Sequence, residues 1–118
     1  MGVFSVPITV SNQTTGASAD VHALVDTAAT LPVISTSVLQ SLGIEPVGQR
    51  VFEYADGRKA ELRVGKVDIT VEGQTTQTLV VFGPDDVDQI LGSVVFELLG
   101  MTIDPANSKL IPAPGLIY

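Results

Sequence analysis

From Arg50 to Phe82 the chain is written in short runs that alternate apolar and polar residues. These are 50-RVFEYADGRKAELRV-64, 66-KVDITV-71 and 75-TTQTLVVF-82, with breaks at Asp56-Gly57 and Glu72-Gly73. An acid followed by glycine between alternating runs is a strong hairpin signal, because such pairs accept the positive φ that a tight turn between twisted strands needs. The segment therefore predicts two successive antiparallel hairpins, the first of them projecting. With 118 residues there is room for one core, and the expectation is a single domain over residues 1–118. Aromatics make up only 5% of the chain, and Val, Ile, Leu and Thr carry the apolar content, which suits pleated packing. An all-β fold with one or two short helices is expected.

The remaining segments fit that class. Residues 3-VFSVPITV-10 read as a strand in which Pro7, lacking an N–H, argues for an edge or a bend. The polar stretch 11–20 reads as a loop or hairpin tip, followed by short strands at 21–25 and 32–35. In 35-STSVLQSLG-43 a hydroxyl stands where a helix wants its N-cap and Gly43 supplies a left-handed stop. Ser93 is expected to cap a second helix, 94-VVFELL-99, stopped by Gly100. The tail 101–118 offers a Pro-Ala-Asn-Ser turn between short strands and an apolar end, Leu116 to Tyr118, that needs a covering surface. The two halves also rhyme, LVDTAAT and a helix ending SLGIEP against QILG and a helix ending LLGMTIDP, over too short a stretch to establish duplication.

Charge and composition exclude several functions. Thirteen acidic against six basic residues give a formal net charge of −7, with no basic run to track a phosphate backbone, so nucleic acid is a poor partner. No apolar run approaches the roughly 20 residues that span a bilayer, and the N-terminus lacks a basic start and cleavage signal. The expectation is a soluble, cytoplasmic chain with no membrane partner. Without cysteine, and with one histidine, thiol catalysis and multi-histidine metal sites drop out, and no metal or cofactor is expected. Asp85, Asp86 and Asp88 lack the longer ligand loop and terminal glutamate of a calcium site and read as a solvated acidic turn.

Chemistry concentrates in 24-LVDTAAT-30, where a strand ends on one carboxylate among small residues. Taken with 55-ADGR-58 and 90-ILG-92, in that order and at those separations, this stretch resembles the retroviral-type (retropepsin-like) aspartic proteases. The likeness is nearest to their small prokaryotic members, through 79-LVVFGPDDVDQILG-92 and 102-TIDPANSKLIPAPG-115. It implies a closed acid-protease barrel, active as a twofold homodimer in which each chain donates Asp26. It further implies that Thr27 braces the pair across the axis and that Ala28 and Ala29 line the cleft. Ala55, Asp56, Gly57 and Arg58 would form a flap tip over an extended polypeptide substrate, with Ile90, Leu91 and Gly92 supporting the Asp26 loop.

One position departs from the pattern, since the family usually has glycine directly after Asp-Thr and this chain has Ala28. Glycine serves where backbone approaches a ligand or takes positive φ, so the added methyl bears on turnover more than on fold. The implied function is a homodimeric aspartic endopeptidase. Its alternative is a non-catalytic dimeric peptide-binding module of the same fold, with turnover lost or weakened by Ala28.

Overall fold

The computed structural model describes residues 4–115. Its main sheet is built from β1 (Ser5–Ser11), β2 (Ser18–Val25), β3 (Val33–Ser35), β4 (Gly48–Glu53), β5 (Lys59–Val71), β6 (Gln74–Gly83) and β7 (Ile90–Leu91). Two short helices, α1 (Thr36–Ser41) and α2 (Ser93–Leu99), and a separate hairpin of β8 (Met101–Asp104) and β9 (Lys109–Pro112) complete it. The strand order is β1-β2-β7-β3-β6-β5-β4, and a further pairing of β1 with β5 closes the sheet into a barrel, leaving β4 outside the ring. The all-β, closed-barrel expectation is met, with two short helices. Neither helix is long and apolar enough to cross a membrane.

Alternation places the core. Along β1, Val6, Ile8 and Val10 turn inward while Ser5 and Pro7 face out. Val25, Val67, Ile69, Val71, Val80 and Leu91 join them at 0–1% exposure, with Ile34, Leu39 and Val95 beside them. Pro7 is tolerated because β5 pairs only with Thr9–Ser11, so the proline lies on the half of β1 that has β2 as its partner.

Glu72 and Gly73 both take positive φ, 50° and 80°, as a two-residue hairpin turn requires. At the first hairpin only Gly57 is left-handed, with φ 89°, and Tyr54 pairs with Arg58 across a three-residue tip. Gly43 and Gly100 end their helices at φ 74° and 68°. The Pro105–Ser108 turn joins β8 to β9 as expected. Val3 and Leu116 to Tyr118 lie outside the described residues.

Three sequence expectations are corrected. The 11–20 stretch is a hairpin tip, one of its two expected forms, but a shorter one than its polarity suggests, because β1 runs through Ser11 and β2 begins at Ser18. Buried Asn12 tightens the turn, its Oδ1 accepting from the Thr14 and Thr15 amides while its Nδ2 donates to the Leu42 carbonyl. The segments 59–64 and 66–71 form one continuous strand, β5, which pairs with β4 and then with β6. Gly65 lies where they join, because a Cβ there would stand 3.0–3.2 Å from Phe82, Ile44 and the Glu45 carbonyl. Finally, the N-cap of α2 is Gly92 rather than Ser93, and no side chain caps this helix.

Candidate active site

Strand β2 delivers Asp26. It is flanked by β1 and, in parallel, by β7, with Leu24 opposite Ile90 and Val25 opposite Leu91. The backbone bonds continue past the last strand residue: the Leu24 amide donates to Gln89 (2.8 Å), the Val25 amide to Phe4 (2.9 Å) and the Asp26 amide to Leu91 (3.2 Å). Asp26 is therefore fixed from two sides just where the strand gives way to a turn.

The carboxylate is fixed as well. Asp26 Oδ1 accepts a hydrogen bond from the Ala28 amide at 2.9 Å, the local turn that an aspartate makes with backbone two residues on. The donor is backbone, so alanine supplies it as well as glycine would. Ala28 is also not among the residues with positive φ, so its methyl brings no left-handed strain. Asp26 is half-buried, and among the described residues this amide is the one hydrogen-bond donor to its side chain.

Beneath the turn, α2 takes the place of a side-chain cap. Its first amides donate into the loop, Ser93 to the Ala29 carbonyl at 2.8 Å and Val94 to the Thr30 carbonyl at 3.0 Å. Orphan donors at a helix start need acceptors, and here the loop after Asp26 provides them. Gly92 makes the approach possible, since a Cβ there would stand 2.6 Å from the Thr30 carbonyl oxygen and 2.7 Å from that of Leu31. Ile90, Leu91 and Gly92 thus pack against the end of β2 and the loop that follows it.

Above the loop runs a groove of about 490 Å³, within the usual range for ligand clefts. Its lining combines Ala28, Ala29 and Thr30 from the loop after Asp26, Val51 to Tyr54 and Leu62 from the shaft of the β4–β5 hairpin, and Val81, Pro84, Val87, Asp88 and Ile90. The sequence placed Ala55, Asp56, Gly57 and Arg58 at the tip, and they stand there, but within this chain the tip does not line the groove. The shaft and the 84–88 loop do, and sequence reasoning missed them. The exposed valines at 51 and 87 on otherwise polar stretches were the signal available.

The tip is internally tied. Asp56 accepts from the Arg58 amide (2.9 Å) and from its Nε (2.7 Å), and the guanidinium lies 4.9 Å from the Tyr54 ring centre. The Arg58 amide, then its guanidinium, hold the Asp56 carboxyl below its ordinary value. Thr27 is exposed and borders a shallow hollow of about 180 Å³ with Ser93, Phe96, Glu97 and Met101 to Ile103. Among the described residues its hydroxyl has no hydrogen-bond partner.

With this geometry in hand, comparison with known proteins is informative. The family described as "gag-polyprotein putative aspartyl protease" matches residues 13–103. No curated protein sequence matches. Among solved structures, the EIAV protease complexed with an inhibitor aligns at a TM-score of 0.57 and 20% identity, covering 82% of this chain and 88% of that one. The simian foamy virus protease aligns at 0.56 and 16% identity, covering 80% and 96%. A retropepsin-like aspartic protease from Rickettsia conorii aligns at 0.54 and 21% identity, covering 87% and 85%. At such identities the structural likeness speaks for the fold, while the family match speaks for descent. Matched from residue 13 to residue 103 and folded as a retropepsin-like barrel, the chain belongs to the gag-polyprotein family of aspartyl proteases.

Proposed function

We propose that the chain is an aspartic endopeptidase that works as a twofold homodimer, with one Asp26 from each copy. The observation that carries this reading is the placement of Asp26: half-buried at the end of β2, its carboxylate held by the Ala28 amide, beside a groove lined by Ala28 and Ala29. One chain supplies one such carboxylate. Two carboxylates brought to about 3 Å cannot both ionise, so a symmetric pair shares one proton and offers an acid and a base from identical residues. The ionised member takes a proton from water as the water attacks the scissile carbonyl, and the protonated member donates to the developing oxyanion. The departing amine is protonated afterwards, with no covalent intermediate. Thr27 then braces the two loops across the axis, and the flap tip, Ala55 to Arg58, closes over an extended polypeptide.

Ala28 does not favour the non-catalytic reading. Its amide makes the bond to Asp26, and its φ is not positive. The test is cleavage of a peptide library by the purified chain and by Asp26→Asn. Loss of the general base is expected to lower kcat/KM by at least about 100-fold, with the thermal unfolding midpoint little changed. Equal cleavage by the two proteins would reject the assignment.

A further inference from the structure

We propose that the groove selects polypeptide segments in which an apolar residue is flanked by lysine or arginine, and that Glu53 and Asp88 set this preference. The proposal rests on reading the groove as the substrate cleft, and it concerns what that cleft accepts. Among the described residues five large hydrophobic side chains stand out as exposed, and three of them, Val51 (64%), Tyr54 (46%) and Val87 (53%), line this groove. Apolar surface gathered into one concavity calls for an apolar side chain to cover it.

Glu53, from β4, and Asp88, from the loop before β7, are the carboxylates in the lining, and both are exposed. Neither has an ion-pair partner among the described residues, where the one ion pair is Arg58 with Asp56. Lysine and arginine are missing from the lining altogether. Lys59 faces Glu53 across the hairpin without contacting it closely enough to pair. The guanidinium of Arg50 leans on the Phe52 ring at 5.9 Å and that of Arg63 on the Phe82 ring at 5.2 Å. Asp85 and Asp86, in the same loop as Asp88, lie outside the lining, and Asp85 accepts from the Ser37 amide at 2.9 Å. An apolar lining that also carries two unpaired carboxylates rewards a basic flank and penalises an acidic one, since like charges in a cleft discriminate strongly between partners. A formal charge of −7 over the whole chain acts in the same direction at longer range.

The experiment uses the full chain carrying Asp26→Asn, so that binding is read without turnover. Three fluorescent peptides share one apolar core and differ only in flanks of lysine, glutamine or glutamate. Anisotropy titrations at low salt are expected to rank them lysine, glutamine, glutamate, with about tenfold between the first two. The gap should fall below about twofold near 0.5 M salt, where charges are screened within a few ångströms, and likewise in a Glu53→Gln, Asp88→Asn double variant. Equal affinities, no binding by any peptide, or a gap indifferent to both salt and the double substitution would each overturn the proposal. Turnover separates the two readings. A chain with Asp26 that prefers the lysine peptide but cleaves none loses the protease assignment and keeps this one. Cleavage of all three at equal kcat/KM does the reverse.

Discussion

At the scale of single residues, the site depends on two small side chains for different reasons. Gly92 is required by space. Carbonyl oxygens of Thr30 and Leu31 stand where its Cβ would be, at 2.6 and 2.7 Å, and neither can yield without moving the Asp26 loop off the α2 amides. Gly92→Ala is expected to cost about 1–3 kcal/mol, the usual penalty of overpacking, read as a lower urea midpoint at an unchanged slope. Ala28 is the opposite case, a position where glycine is not required by backbone conformation. Ala28→Gly should therefore change kcat/KM by less than about tenfold, the scale on which one methylene-sized contact matters in a pocket. A larger rise would show that the methyl had been obstructing the peptide, and would revive the non-catalytic module as a description of the parent chain.

At the scale of elements, the projecting hairpin carries a clasp whose state depends on pH. The folded pKa of Asp56 lies below its usual 3.8, because the Arg58 amide and then the guanidinium bind the charged form. The stabilisation is thus complete above that usual value and is lost as pH falls through the lower folded one. As pH falls below the usual 3.8 the Arg58 Nε–H resonance should broaden and shift as the clasp opens, and Asp56→Asn should remove that titration. A shift centred well above pH 4 would contradict the assignment.

Hairpins of this kind were the most legible part of the sequence, since Asp56-Gly57, Glu72-Gly73, Gly43 and Gly100 mark turns and stops by local chemistry. The less legible features depend on partners distant along the chain. Nothing near Ser93 indicates that the α2 amides are satisfied by Ala29 and Thr30. Likewise, the polar run Ser18–Asp20 becomes strand only because β1 lies beside it. The groove escaped for the same reason: Val51 and Leu62 belong to alternating strands and Val87 to an acidic loop, and their shared lining exists only where the three segments meet.

At the scale of the whole molecule, the proposed chemistry needs two copies, since one chain presents one Asp26. Specific activity should then fall on dilution, with a half-point that coincides with the monomer–dimer midpoint from sedimentation equilibrium. Activity strictly proportional to concentration down to a sample that sediments as monomer would rule out a shared pair. The retropepsin-like barrel also fixes when such a pair can exist at all. Asp26 belongs to the first quarter of the chain, yet its amide is held by Leu91 and its loop by the Ser93 and Val94 amides. A ribosome has therefore made the acid long before it has made the floor beneath it. Until about residue 94 has emerged, the Asp26 loop lacks the α2 amides that hold it, so on the proposed reading the nascent polypeptide has no formed site with which to act on its neighbours on a polysome.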